Sequence, residues 1–392
     1  MKNFKWVVLG IFALAAAVSQ LLWLNFAPLI TLIEKKYAVT EDTAGLLLLV
    51  FPLVYVLLSL PAGVLIDKKG YRFSLNFGNF LMALFACLRI YDKSFAVLLI
   101  AQTGIAVAQP FIVNAISKLV LDWFEKDQGA IATGLGTMGM FIGMSLGLGV
   151  TPPMVEHLGF SQSMVIFAIV SVICFILSLL FVRTKGSSKT DAASASVPLK
   201  VIKELFMDRQ LVILFILSFV GLGFFNGFTT WIELILAPFG INSVQAGTVG
   251  ATLILGGILG AVVVPAFSDK FRRRKPFLIG SIFIAVVTIL PLCSSGNFNW
   301  LLILAGIQGF FFLPAFSLLL EMCSEWVGEA RAGSATGVLM LMGNSGGVIV
   351  IMVMEAIKGT DFRPSVYLLF VLLVLAVLIS FMLKESHPKR SH

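Results

Sequence analysis

The sequence predicts an all-α integral membrane protein whose twelve transmembrane helices form two pseudo-symmetric six-helix bundles. Hydrophobic residues make up 59% of the 392 positions and charged residues only 12%. That is about half the charged share of an ordinary soluble domain, and the mean hydropathy is +1.01. Apolar segments recur along the chain in two sets of six, separated by one long polar stretch. Lipid is therefore the expected surrounding of this chain.

Each apolar segment is long enough to cross a bilayer as a helix, since about 30 Å of hydrocarbon requires about 20 residues. Irregular backbone cannot face lipid, and the segments lack the polar–apolar alternation of membrane β-strands. The first set covers roughly 5–30, 43–66, 73–91, 94–119, 129–151 and 162–182. The second covers roughly 210–237, 245–267, 276–294, 299–321, 332–356 and 364–383.

We divide the chain into an N-terminal bundle at 1–183, a cytoplasmic linker at 184–209 and a C-terminal bundle at 210–392. The linker is rich in Gly, Ser, Ala and Lys, a composition typical of flexible tethers. After Pro198, apolar residues alternate with Lys200, Lys203 and Glu204. This pattern predicts a short amphipathic helix lying on the membrane surface.

The distribution of basic residues predicts the orientation, because cytoplasmic loops carry an excess of Lys and Arg. With twelve spans and a cytoplasmic N-terminus, 22 of the 28 Lys and Arg lie on the cytoplasmic side and six lie outside. We therefore expect a multi-pass protein of the inner or plasma membrane with both termini in the cytoplasm. The same distribution explains the net charge of +8 without a nucleic-acid partner.

Three short matches in the same order relate the two halves of the chain. They pair Asp67-Lys68 with Asp269-Lys270, Pro110 with Pro314, and Ala132-Thr133-Gly134 with Ala335-Thr336-Gly337, at offsets of 202, 204 and 203 positions. Each match alone is weak, but the nearly constant offset indicates a duplication. Two six-helix halves in parallel orientation are a recognised layout of secondary transporters.

The second span is followed by Gly63-Val64-Leu65-Ile66-Asp67-Lys68-Lys69-Gly70-Tyr71-Arg72. Its Gly, Asp, Gly and Arg resemble the loop 2–3 signature of the major facilitator superfamily. Gly63 is expected to permit close helix contact and Gly70 a tight turn. The resemblance implies that Gly63, Asp67, Gly70 and Arg72 form a gate that latches the two halves. A degenerate copy of this signature at 268–274 adds Asp269 to the candidate gate. The alternative interpretation is an ordinary charged loop.

A weaker resemblance is to the feline leukaemia virus subgroup C receptor family, whose members carry haem, choline or related solutes. It rests on Trp23-Leu24-Asn25-Phe26, on Trp123-Phe124 and on the glycine-rich fifth span that ends in Pro152-Pro153. The family's substrate-lining tryptophan falls on Trp23 and its eleventh-span glutamine on Asn344. Its fifth-span glutamine falls on Phe141 and a seventh-span tyrosine on Asn226, so the substrate does not carry over.

The first span is also similar to that of the nitrate porters, which hold their anion with an arginine in the second span and another in the eighth. The matching stretches here, 58–61 and 259–262, contain no basic residue, and neither does the middle of any predicted span. Burying an anion without a cation is costly, so we exclude anion transport.

Polar and aromatic residues within the spans supply the candidate substrate-lining set, which is Trp23, Asn25, Gln109, Phe141, Asn226, Trp231 and Asn344. Gln109 precedes Pro110, which breaks a helix and frees a backbone carbonyl. Bridging of neighbouring helices is the alternative role for the amides. Because ring faces attract organic cations, the set predicts a neutral or cationic organic solute.

Glu233 is the acidic residue that lies well within an apolar segment, near the outer end of the seventh span. A carboxylate in the membrane is a functional candidate, and we assign it to gating or coupling. The alternative is that Glu233, at the outer end of its helix, simply reaches water. No Cys or His spacing fits a metal site, and no metalloprotease helix or phosphate loop is present in the sequence. We expect no enzymatic activity, no cofactor and no metal.

These observations predict a secondary transporter that moves a small neutral or cationic organic solute by alternating access. The alternatives are a proton-coupled drug or metabolite exporter and a transporter-derived sensor without net flux. The expected partners are a small-molecule substrate and the lipid bilayer, and the expected state is a monomer.

Overall fold

The computed structural model describes residues 4–184, 199–359 and 361–386, and all regular structure in these ranges is helical. The chain divides into two compact units between residues 196 and 197, here called the N-terminal half and the C-terminal half. The division falls inside the predicted linker, of which residues 185–198 lie outside the described ranges. The N-terminal half contains α1 (Phe4–Leu24), α2 (Ile30–Tyr37), α3 (Glu41–Leu88), α4 (Phe95–Val113), α5 (Ala115–Trp123), α6 (Lys126–Leu158) and α7 (Phe160–Phe181).

The C-terminal half begins with the short helix that the sequence predicts after Pro198. Its helices are α8 (Leu199–Met207), α9 (Arg209–Leu236), α10 (Ser243–Phe271), α11 (Lys275–Leu292), α12 (Phe298–Val327), α13 (Glu329–Ile357) and α14 (Arg363–Ser380). In α8, Leu205 is buried while Phe206 and Met207 are exposed. Glu204 pairs with Arg331 of α13 at 3.1 Å, which ties α8 to its own half.

Within the described residues, eleven helical runs are long and apolar enough to cross a membrane. One of them, α3, has 48 residues and would be about 70 Å long as a continuous helix. Gly70 interrupts it with φ 82° and ψ 162°, so α3 comprises two spans. The described residues therefore contain the twelve spans that the sequence predicts.

The two glycines of the loop signature behave differently. At Gly70 the backbone has a positive φ, where any side chain would be strained, so the predicted turn is present. A Cβ at Gly63 would meet no atom within 4 Å. The close helix contact predicted at Gly63 is therefore absent from the described part of the chain, and packing does not explain that glycine.

Glycines elsewhere bring helix backbones together in the same way in both halves. In the N-terminal half, α6 packs on α1, and a Cβ at Gly143 would overlap the carbonyl oxygen of Ala17. In the C-terminal half, α13 packs on α9, and a Cβ at Gly346 would overlap the carbonyl oxygen of Phe219. The fifth span thus packs on the first, and the eleventh on the seventh.

The first membrane-spanning helix of each half, α1 or α9, stops at an Ala-Pro turn. A 3-10 turn at Ala27–Leu29 follows α1, and another at Ala237–Phe239 follows α9. Proline has no N–H, so it cannot continue the hydrogen-bond ladder of the helix. We call the end of each half where α1 or α9 begins the base, and the end with the Ala-Pro turn the top.

Candidate functional site

In the N-terminal half, Trp23 and Asn25 lie at the top of α1. Trp23 is 7% exposed, its Nε1 donates to the Leu48 carbonyl at 3.2 Å, and its ring stacks on Phe51 at 5.8 Å. The side-chain amide of Asn25 is fully buried, and neither of its polar atoms has a partner among the described residues. The indole is thus held by α3, while the Asn25 amide keeps unused hydrogen-bonding capacity.

A polar bridge that sequence reasoning missed joins α3 to the junction of α4 and α5. The Tyr55 hydroxyl donates to Asn114 Oδ1 at 2.8 Å, and Asn114 Nδ2 donates to Ser59 Oγ at 3.1 Å. Gln109 lies buried one turn before Asn114, next to Pro110 as predicted. A tyrosine within a proline-bearing apolar segment was the signal that could have located this bridge.

In the C-terminal half, Asn226 and Trp231 of α9 are buried against α13, with 2% and 1% exposure. Trp231 Nε1 donates to the Ile351 carbonyl at 3.4 Å, and its ring lies 5.2 Å from that of Phe362. Asn226 Nδ2 packs so close to Gly347 that a Cβ there would overlap it. Trp231 therefore joins α9 to α13 by a hydrogen bond, whereas Asn226 Nδ2 packs on α13 without a hydrogen-bond partner among the described residues.

Phe141 and Asn344 are the two candidate lining residues that remain partly exposed. Phe141 belongs to α6, and Asn344 belongs to α13, the corresponding helix of the other half. Asn344 Nδ2 donates to the Met340 carbonyl of its own helix at 2.9 Å. A phenyl ring and an amide on corresponding helices thus stay accessible, while the other five candidates are buried.

Glu233 is buried near the top of α9, with 3% exposure. Its Oε1 accepts a hydrogen bond from Ser243 Oγ at 2.6 Å, and Ser243 is the first residue of α10. The carboxylate therefore connects the seventh and eighth spans. Such a group is less screened by salt than an exposed one.

The base of the C-terminal half carries an ion-pair cluster around Arg274, which lies between α10 and α11. The side chain of Arg274 is 8% exposed and pairs with Asp269 at 2.6 Å, Glu321 at 2.9 Å and Glu325 at 3.1 Å. Burial alone would lower the pKa of Arg274, but the three carboxylates outweigh it and raise the pKa. Sequence reasoning found Asp269 through the repeat and missed Glu325, which lies four residues after Glu321.

The chain after α14 closes over this cluster. Glu385 accepts backbone N–H bonds from Arg274 at 2.7 Å and from Lys275 at 3.3 Å, so its carboxylate caps the start of α11. A negative charge is favourable at a helix N-terminus. Ser386 Oγ donates to Glu325 at 2.5 Å. These ion pairs and hydrogen bonds hold together the chain segments at the base of the C-terminal half.

The base of the N-terminal half differs. Arg72 corresponds to Arg274 in the repeat, yet it is exposed and has no ion pair within the described part of its half. Asp67 is half-buried and likewise has no ion pair there. Tyr71 is buried instead, donating to the Arg183 carbonyl and accepting from Trp123 Nε1. The loop is thus anchored by Tyr71, while the charges of Asp67 and Arg72 stay unpaired within that half.

Twelve spans in two repeated six-helix halves, each with a charged loop at its base, define a membrane transporter rather than an enzyme. The family model of the Major Facilitator Superfamily matches residues 12–270 and 233–392, and the chain belongs to that superfamily.

Curated relatives and a solved structure agree with this assignment. Solute carrier family 49 member A3 of Xenopus tropicalis is 26% identical over 376 residues, covering 90% of this chain and 77% of that protein. Choline/ethanolamine transporter FLVCR1 of Felis catus is 24% identical over 409 residues, covering 97% and 73%. A bacterial homolog of the human lysosomal transporter Spinster, solved inward-facing and unoccupied, shares the fold with a TM-score of 0.74 at 15% identity, covering 97% of both chains.

Proposed function

We propose that this transporter carries a small neutral or cationic organic solute, with choline and ethanolamine as the first candidates. The observation that carries the proposal is the accessible pair of Phe141 and Asn344 on corresponding helices. A ring face attracts an organic cation, and an amide hydrogen-bonds a hydroxyl group. The similarity to a choline/ethanolamine transporter over 97% of the chain supports the same class. Phe141 and Asn226 differ from the glutamine and tyrosine of the feline leukaemia virus subgroup C receptor family. The site is therefore also compatible with a solute other than choline.

Movement of the solute is by alternating access, with the two halves rocking about a site at the middle of the membrane. The base lies on the cytoplasmic side of the inner or plasma membrane, because the basic residues are concentrated at the base. Arg274 is neutralised inside its own half, whereas Asp67 and Arg72 are not. Asp67 and Arg72 are therefore the charges available for a gate whose contacts change during transport, with Gly70 providing the turn.

The test of solute class is the melting temperature of the purified protein in detergent with choline, ethanolamine, the neutral choline isostere 3,3-dimethylbutanol and nitrate. Choline or ethanolamine is expected to raise the melting temperature, and nitrate is not.

Phe141→Leu should weaken binding of the amine roughly fivefold, since a cation–π contact contributes about 1 kcal/mol, and should affect dimethylbutanol less. Phe283→Leu, at an exposed ring of α11, is the matched control. Stabilisation by nitrate alone would contradict the proposal.

Glu233 attracts cations towards the site, and proton coupling is the second candidate role. Glu233→Gln is expected to raise the Michaelis constant for choline uptake several-fold while uptake down the choline gradient persists. The screening of a buried charge is weak, so the effect should change little with salt. Ser243→Ala removes the hydrogen bond but keeps the charge, and is expected to have a smaller effect. Uptake into liposomes with and without a pH gradient is the measurement. Accumulation driven by pH in the wild type and lost in Glu233→Gln would establish proton coupling instead.

A further inference from the structure

The break in the first span leaves backbone carbonyls at the top of α1 without their usual partners. The helix ends at Leu24, and the turn that follows contains Pro28, which has no N–H. The last carbonyls of a helix lack N–H groups from a following turn. In a membrane protein these carbonyls need donors from elsewhere, because lipid supplies none.

Two side chains from other helices supply donors to one of these carbonyls. Arg89, the residue directly after α3, donates from Nη2 to the Leu22 oxygen at 2.8 Å. Gln102 of α4 donates from Nε2 to the same oxygen at 3.2 Å. Both side chains are fully buried. Parts of three helices therefore meet at the carbonyl of the residue that precedes Trp23.

The charge of Arg89 is placed where the break itself can stabilise it. A cation is favoured at the C-terminal end of a helix, here the end of α1. The guanidinium carbon also lies 4.8 Å from the centre of the Phe26 ring, within the range of a cation–π contact. Its Nε and Nη1 have no partner among the described residues. The side-chain contacts of Arg89 among the described residues are thus with Leu22 of α1 and with Phe26, two residues beyond its end.

A buried charge of this kind is a poor source of stability, since apolar residues of similar volume often serve as well or better. Its geometric effect is more specific. The clamped carbonyl belongs to Leu22, next to Trp23, whose ring stacks on Phe51. In the described part of the C-terminal half, the corresponding place has the neutral Cys293 after α11 and no such clamp.

We propose that Arg89 and Gln102 are positioning residues that fix the break of the first span and thereby set Trp23 and Asn25 for solute binding. The clamp on the break stands on the contacts alone. Its effect on solute binding rests on the proposed function.

The experiment compares Arg89→Gln, Arg89→Lys and Gln102→Leu with the wild type. Lys93→Gln is the matched control, because Lys93 is exposed, lies four residues after Arg89 and loses the same charge. Amide hydrogen exchange across residues 22–30 is measured first, in solute-free protein. Loss of a charged hydrogen bond should speed exchange there about tenfold in Arg89→Gln. Gln102→Leu should have a smaller effect, and the control none.

The second measurement is the dissociation constant for choline, and for ethanolamine, of each folded variant. We expect it to rise about tenfold in Arg89→Gln, less in Arg89→Lys, and not at all in Lys93→Gln. Unchanged exchange at the break would overturn the clamp, even if the melting temperature falls, and Gln102→Leu keeps this test available if Arg89→Gln fails to fold. Faster exchange with an unchanged dissociation constant would overturn the link to the site. If the wild type binds neither amine, the proposed function fails and the exchange data still decide the clamp.

Discussion

Gly143→Val is expected to prevent the N-terminal half from forming a stable bundle. A Cβ at this position overlaps the carbonyl oxygen of Ala17, so the substitution forces α1 and α6 apart. Overpacking of a core costs about 1–3 kcal/mol and sometimes more. The atom in the way here is backbone rather than a flexible side chain, so we expect a loss on the order of 3 kcal/mol or more. The purified variant should aggregate or melt about 10 °C lower than the wild type.

The matched control is Gly134→Val, on the same helix. A Cβ at Gly134 meets nothing within 4 Å, while the intrinsic helix propensity changes by the same amount. Size-exclusion chromatography and melting temperature in detergent compare the two variants with the wild type. Equal behaviour of both variants would show that close packing of α1 on α6 does not stabilise this half.

Arg274→Gln has the second largest expected effect. It removes the cation from three carboxylates that lie within 3.1 Å of it and leaves them to repel one another. Breaking a buried pair by removing one partner costs about 3–5 kcal/mol. Asp269 and Glu321 are partly exposed, so the lower end, about 3 kcal/mol, is the expected loss. Arg273→Gln is the control, since Arg273 is exposed and its side chain makes no ion pair in the described residues.

The pH dependence of the melting temperature distinguishes lost charge pairing from lost packing in the Arg274→Gln variant. The folded-state pKa of Arg274 is raised, so its own protonation is complete at every pH below the ordinary arginine range. The change between pH 7 and pH 4 must therefore come from the carboxylates, because carboxyl groups and not arginine gain protons as the pH falls through this range. As they gain protons, the wild type loses attraction and the variant loses repulsion. The difference in melting temperature between the wild type and Arg274→Gln should become smaller towards pH 4. A difference that stays constant with pH would indicate lost packing instead.

Much of the fold was predictable because lipid imposes simple rules on the chain. The number of spans and the turn at Gly70 follow from segment length and from the position of a glycine. Gly63 shows the limit of such reasoning, since glycine is compatible with close contact but does not require it. Arg89 shows another limit. The sequence places it among the six outer basic residues, yet its side chain turns inward onto Leu22, because tertiary packing decides the direction of a side chain just beyond a helix end.

The candidate site was predictable in residue type more than in arrangement. The amides of the lining set were assigned to solute binding with helix bridging as the alternative. Bridging is the role of Asn114, an amide outside that set, which joins α3 to the α4–α5 junction. Trp231 likewise bonds a backbone carbonyl of α13. Partner choice depends on which helices are neighbours, which one sequence does not reveal. The same reason hid Glu321 and Glu325 as partners of Arg274, since both lie on α12.

The central claim, that this chain carries a small organic amine across a membrane, is tested most directly by counterflow. Purified protein is reconstituted into liposomes loaded with unlabelled choline or ethanolamine, and uptake of the labelled amine from outside is followed over time. We predict a transient accumulation of label that requires the internal amine and is absent from protein-free liposomes. Reconstituted, folded protein that binds the amine yet produces no counterflow would identify a sensor without flux. Protein that neither binds nor exchanges either amine would contradict the account.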